Sequence, residues 1–262
     1  MSASPDGVGY RLDAGVATIE LRGPALDVGL RGGLLAAVRQ VGSDGTAVRA
    51  VLLTAQGKHF CVGQDLKEHG RALETEPESA FACVRDEYNP LVEALHALTQ
   101  PVVVAVEGAC VGAGLGLALC ADVRVAAEGA RFATAFTGIG LAADSGLSGS
   151  LARAVGPSRA AGLMLLGDRF GAEEALRWGL VHRVVPDGEA AAEGLALAAR
   201  LAAGPTAAYA EVKALLRDAP GASLATVLER EAAAQERLGA TRDHRAAVEA
   251  FLARAEPSFE GR

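Results

Sequence analysis

The sequence predicts an α/β fold with a mostly parallel sheet, closed by a helical C-terminal layer. Three observations carry that prediction. β-branched apolar runs alternate with helical stretches. The runs are apolar at nearly every position, as strands covered on both faces are. After Pro186 the strands stop and alanine-rich helical segments follow one another.

The elements read in order. "VATIELRG" (Val16–Gly23), "VRAVLLT" (Val48–Thr54), "VVVAVEG" (Val102–Gly108) and "DVRVAA" (Asp122–Ala127) are strands bounded by turn residues, and "VHRVV" (Val181–Val185) is a further short one. Helices fall between them, notably over Leu26–Val41 and Ala80–Leu98. Gly204–Pro205 and Pro220–Gly221 then punctuate the C-terminal helices, whose apolar positions, Leu224, Val227 and Leu228 among them, form stripes that pack on the core or on another subunit.

Composition narrows the partners. At 262 residues and 50% hydrophobic, the chain can bury a sizeable core. A net charge of −7 argues against nucleic acid and anionic membranes. Cys61, Cys83, Cys110 and Cys120 show no C-x-x-C and no metal-ligand spacing, so they read as thiols of a reducing cytoplasm with no metal site. "MSASPDGVGY" has no apolar leader core, and Glu107 and a glycine cluster interrupt the longest apolar run, so neither a secretion signal nor a membrane span is expected.

The glycine cluster, Gly112-Ala-Gly114-Leu-Gly116, is the first candidate for chemistry. It is not the G-x-G-x-x-G of a dinucleotide fold, and Leu115–Ala121 is too short a crossover for one. A glycine-rich turn entering a helix instead leaves backbone N–H groups that can hold an oxyanion, although close packing explains glycines as well. "GKHFCVGQDLKEH" (Gly57–His69), which also follows a strand and enters a helix, supplies a second candidate donor loop.

These two loops read "FCVGQDLKE" and "GACVGAGLG". With them the sequence resembles the enoyl-CoA hydratase/isomerase, or crotonase, superfamily. The resemblance continues through "FATAFTGIGLAADSG", "AVGPSRAAGLMLLGDRFGAEEALRWGLVHRVV" and "FLARAEPSF", and so covers nearly the whole chain. It implies a spiral core of ββα units over 1–198 and a helical oligomerisation region over 199–262, assembled as a homotrimer or a dimer of trimers. It implies an acyl-CoA thioester substrate, with coenzyme A part of that substrate and no separate cofactor.

The resemblance also places the site. The oxyanion-hole N–H groups are those of Gln64 and Ala113. Coenzyme A lies along Cys61, Val62, Gln64 and Lys67, with Phe251 and Arg254 completing its site. Lys67 and Arg254 read equally well as solvated surface charges. The two glutamates of the family's hydratases are replaced here by Gly116 and Phe136, which become acyl-pocket positions. One acid remains, Asp144 in "GLAADSG", where ring-1,2-epoxyphenylacetyl-CoA isomerases and related Δ3,Δ2-enoyl-CoA isomerases carry theirs. A rival reading makes Asp144 the N-cap of a helix starting near Ser145. Asp65 and Asp122 read as capping or turn residues, and Glu107 has no assigned role. The implied activity is a double-bond shift by a one-carboxylate proton shuttle. The alternatives are a hydratase with an atypical acid and a non-catalytic CoA-binding subunit.

Overall fold

The computed structural model describes residues 7–262; the start of the N-terminal stretch read for a leader, residues 1–6, lies outside them. The elements run β1 (Val8–Asp13), β2 (Val16–Leu21), α1 (Val28–Asp44), β3 (Ala50–Ala55), α2 (Leu66–Thr75), α3 (Asn89–Ala97), β4 (Val102–Val106), β5 (Ala109–Val111), α4 (Ala113–Leu119), β6 (Val123–Ala127), β7 (Arg131–Ala133), α5 (Leu147–Val155), α6 (Pro157–Leu166), β8 (Phe170–Gly171), α7 (Ala172–Arg177), β9 (Arg183–Val185), α8 (Ala190–Ala202), α9 (Thr206–Asp218), α10 (Leu224–Gly239) and α11 (Arg242–Ala253). None of these helices is long and apolar enough to cross a membrane.

The main sheet has the order β1-β2-β3-β4-β6-β9 and is parallel from β2 to β9. Its central strands are apolar throughout because both faces are covered. Val51, Leu53, Val102, Val104 and Val106 face a core shared with α1, α3 and α4. Ala50, Leu52, Val103 and Ala105 face α8 through Ala190, Ala198 and Ala202. The alternation of side chains along a strand divides the two sets. Sequence reading missed β1, which pairs antiparallel with β2 across a turn at Ala14 and Gly15, both at positive φ. Only its first residues are buried, so its apolar signal is short.

A second, three-stranded sheet, β5-β7-β8, stands beside the first. It reveals the repeat that the alternation alone did not. β4 leads to short β5 and α4, and β6 leads to short β7 and then α5. β3 leads in the same way to Cys61, which bridges Cys110 of β5 in parallel, and then to α2. Each turn of this spiral is a long strand, a short strand and a helix, so the ββα core implied by resemblance is the fold observed.

Two expectations shift. The helix expected over Ala80–Leu98 contains a π-helical turn at Val84–Tyr88 ahead of α3, next to Pro90, which has no N–H to donate. The division expected at 198/199 falls inside α8. Ala198 there is wholly buried, and Gly194 lets the helix lie so close that a Cβ on it would come 3.0 Å from Leu52 and 3.1 Å from Ala105. α8 is thus a cover of the main sheet, and the outlying helical layer begins after it, with α9.

Successive spiral turns meet at backbone contact. Cys61 N–H donates to Ala109 O at 3.1 Å, and Val111 N–H donates to Cys61 O at 2.8 Å. A Cβ on Gly114 would stand 2.5 Å from Cys61 O and 2.7 Å from Cys61 Cβ. Gly114→Ala should therefore destabilise the fold by about 1–3 kcal/mol or more, the usual range for overpacking, as read by equilibrium denaturation; unchanged stability would contradict this packing.

Candidate active site

The site grows from the short-strand-to-helix junctions of the spiral. In the first, Val62 N–H donates to Pro24 O, Leu26 N–H to Gly63 O, and Asp65 N–H to Leu26 O at 3.4 Å. Among the described residues, the Gln64 backbone N–H between them has no acceptor. Gly63 makes the turn at φ +87, and a Cβ there would lie 3.2 Å from Val111 O and 3.5 Å from Ala113 N. Ala113 opens α4, so its N–H lacks an intrahelical acceptor, and among the described residues it has no other. The two N–H groups expected to form the hole thus come from adjoining loops, and neither is engaged elsewhere among the described residues. The Phe136 ring borders the same turn, 3.9 Å from where a Cβ on Gly112 would be.

Asp144 belongs to the third junction. It does not cap a helix through its side chain. α5 starts at Leu147 after Gly146, and Leu147 N–H donates to the Asp144 backbone carbonyl. The carboxylate accepts from Ser145 Oγ at 2.9 Å. Ser145 adopts φ 51, a conformation L-residues resist, and its backbone presses on α4. A Cβ on Gly116 would come 2.7 Å from Ser145 Cβ and 2.9 Å from Ser145 O. The room left by Gly116 is therefore filled by Ser145, which ties the Asp144 loop to the helix that starts at the hole. Burial pushes the Asp144 carboxyl above its ordinary value, and the Ser145 hydrogen bond pulls the other way.

Cys83 neighbours the Gln64 side chain. Gln64 Nε2 lies 3.6 Å from Cys83 Sγ as a donor. Burial chiefly pushes the Cys83 thiol up, Arg31 opposes it, and the carboxylates of Glu87, Glu68 and Asp144 add to the rise.

The other acids have structural partners. Asp65 caps α2, accepting from Lys67 N–H at 2.8 Å and Glu68 N–H at 3.0 Å. Asp122 accepts from Val102 N–H and Lys213 Nζ. Glu107 accepts from Gly188 N–H and from Ala190 N–H, the first residue of α8. Glu68 and Glu87 both bind Arg31, a buried guanidinium on α1 that also donates to Leu26 O. Burial works against the charge of Arg31, but these hydrogen bonds outweigh it and its pKa is raised. Sequence reading missed Arg31, Ser145 and Cys83. Only the run of glycine at 112, 114 and 116 hinted that another backbone would approach.

The expected coenzyme A positions divide. Cys61 is buried in the spiral, Val62 is part-exposed beside it, and Lys67 is exposed on α2. Phe251 and Arg254 are not brought to these loops within this chain. They lie at the exposed end of α11, which packs on α10, with Phe251 82% exposed.

The family model for enoyl-CoA hydratase/isomerase matches residues 11–262. The chain belongs to the enoyl-CoA hydratase/isomerase family. Family members act on acyl-CoA thioesters. A solved structure from Mycobacterium abscessus, titled an enoyl-CoA hydratase/isomerase, is 58% identical with a TM-score of 0.95, covering 97% of this chain and 100% of that one. A Rhodobacter capsulatus relative named as an enoyl-CoA hydratase is 42% identical over 97% of both chains. The Escherichia coli 1,2-epoxyphenylacetyl-CoA isomerase is 37% identical over 96% of this chain and 97% of that one. Relatives of this family member therefore carry the names of both reactions.

The geometry around Asp144 yields a stability test. A carboxyl raised in the folded state contributes stability that is present below its unfolded pKa and lost as pH rises through the folded value. Asparagine carries no such charge. Asp144→Asn should be at least as stable as the parent near neutral pH, with the difference closing as acid protonates the parent. A loss of stability by Asp144→Asn near neutral pH would contradict this; it could not be laid to a lost cap, because asparagine caps a helix as well as aspartate.

Proposed function

We propose that this protein is an acyl-CoA isomerase that moves a double bond by a one-base proton shuttle. Asp144 takes the α- or γ-proton of the acyl chain. The thioester oxygen becomes an enolate oxygen, held by the Gln64 and Ala113 N–H groups. Protonated Asp144 returns the proton at the other carbon. Coenzyme A enters as part of the substrate, and the shuttle needs no further cofactor. The observation that carries this reading is that the loop of half-buried Asp144 packs through Ser145 on Gly116 of α4, the helix whose first N–H is one of the two unengaged backbone donors.

Hydration is the second reading, favoured by the name of the Rhodobacter capsulatus relative. Activating water and protonating carbon with separate groups asks for a second acid. Gly116 and Phe136 stand where the family's hydratases have theirs, and Asp65, Glu68, Glu107 and Asp122 serve caps and ion pairs. Supplying 3-enoyl-CoA and 2-enoyl-CoA separately distinguishes the reactions. Isomerisation of the first is expected to exceed hydration of the second, and the reverse would overturn the reading.

Asp144→Asn should lower isomerisation by about 10²–10⁴-fold, the range for general acid–base catalysis, with acyl-CoA affinity in calorimetry little changed. In the parent, burial of Asp144 places the acidic limb of kcat/KM above the ordinary carboxylate value, since only the ionised form accepts a proton. Near-normal turnover by Asp144→Asn would refute the mechanism.

The reading extends to self-association as a trimer or hexamer. Leu216 on α9, Leu224 and Leu228 on α10, and Phe251 and Leu252 on α11 are each more than half exposed, an apolar area a lone chain leaves wet. Light scattering should find the oligomer at micromolar concentration; a monomer would contradict it.

A further inference from the structure

The segment that follows α11 doubles back along it. Arg254 ends the helix at φ 55, a left-handed turn, and residues 255–262 form no helix or strand. The helix from Arg254 back to Asp243 covers about 17 Å, and the steps from Arg254 to Glu260 reach at most about 20 Å, so the return runs nearly extended.

Its far end meets Asp243, in the first turn of α11 and only 4% exposed. Asp243 Oδ1 accepts from Glu260 N–H at 2.7 Å, and Oδ2 from Gly261 N–H at 2.9 Å. The Asp243 N–H, which has no acceptor within the helix, donates to Arg262 O at 3.1 Å. No cation lies within ion-pair distance of this carboxylate among the described residues. Buried charges are normally paired with opposite ones; this one is committed to main-chain donors of a single segment. Capping does not account for it, because Thr241 already caps α11 through His244 N–H. The ion pairs of Glu260 with Arg242 and Arg262 are exposed and add little.

Gly261 carries the segment on to the core. It stands at φ +84, and a Cβ on it would lie 3.0 Å from Thr206 Oγ1 and 3.4 Å from Arg49 Nε. Thr206 opens α9. Arg49, which precedes β3, donates to Thr206 Oγ1 at 3.2 Å and to Gly204 O at 2.6 Å. Among the helices and strands, α11 packs chiefly on α10, and α10 on α9. The segment is thus a direct tie from the start of α11 to the start of β3, in a layer whose helices otherwise stack one upon the next.

We propose that Asp243 is a positioning residue: it buckles residues 255–262 onto the start of α11, and the buckle sets the orientation in which α11 presents Phe251 and Leu252 to a second copy of this chain. This rests on the self-association reading above and names the device that sets one of its surfaces. A helix free to swing is less often in the orientation that docks, and association weakens in proportion to that fraction.

Two independent variants break the buckle. Asp243→Ala removes both acceptors. Gly261→Val puts a β-branched residue at positive φ and presses its Cβ on Thr206. In light scattering over a dilution series, each should raise the concentration at which the oligomer dissociates by about tenfold, the equivalent of one net hydrogen bond. Hydrogen exchange should quicken at Glu260, at residue 261 and along α11, with β3 and β4 protected as in the parent. Asp243→Asn, which keeps one accepting oxygen, should fall between. Unchanged dissociation in Asp243→Ala or in Gly261→Val, even with faster exchange in the segment, would overturn the proposal. Dissociation accompanied by lost protection in β3 and β4 would make the buckle a stability element alone and overturn it equally. A monomeric parent removes the self-association reading and the proposal with it, whereas an oligomeric parent whose variants dissociate no sooner removes the role of Asp243 alone.

Discussion

The backbone pairing of Cys61–Gly63 with Ala109–Ala113 is the constraint on which the site depends. The Cys61–Ala109 and Val111–Cys61 hydrogen bonds lock one spiral turn onto the next. Gly114 lets the chains approach closer than any side chain would allow, and Gly63 turns the first loop towards the second. Both proposed donors are then main-chain atoms held by main-chain geometry. That is why the identities of Gln64 and Ala113 matter little to the hole itself: any residue but proline supplies an N–H. Their side chains remain free to shape what lies beyond it.

The charges are arranged around this frame. Arg31 joins α1 to α2 through Glu68 and to the π-helical turn through Glu87. Asp122 ties α9 to the strand β4, and Glu107 holds the start of α8. Breaking the Arg31 cluster would leave carboxylates without a partner, which is costly in proportion to their burial. With so many acids bound in this way, Asp144 stands apart. Its contacts are local, its burial is partial, and its pKa is raised rather than lowered. A base needs that condition, because a carboxylate held by cations would be too weak to take a proton from carbon.

Backbone strain gathers at the same place. Ala135 and Ser145 hold positive φ without being glycine, and they flank the segment that carries Phe136 and leads to Asp144. Each such residue costs on the order of 1–3 kcal/mol. The packing of Ser145 against Gly116 sustains one of them. The small residue at 116 therefore holds the loop that carries the acid, where the sequence offered close packing and the resemblance an acyl-pocket position.

The sequence by itself determined the parallel sheet, because strands covered on two faces must be apolar throughout, and it determined the helical C-terminal layer through its alanine-rich periodicity. The two donor loops and Asp144 were legible as motifs, since glycine spacing and a lone acid survive in one dimension. Asp65 was legible as a cap because that bond is local, to Lys67 and Glu68. What the sequence did not disclose depends on contacts between distant segments. The ββα repeat needed the bridge from Cys61 to Cys110, and β1 needed its partner β2. That Asp144 does not cap a helix through its side chain turned on a helix start two residues later than expected. The roles of Arg31 and Ser145 are set by neighbours from other turns of the spiral. Only tertiary structure decides such matters, because burial and the presence or absence of a hydrogen-bond partner are properties of the packed neighbourhood and not of the residue.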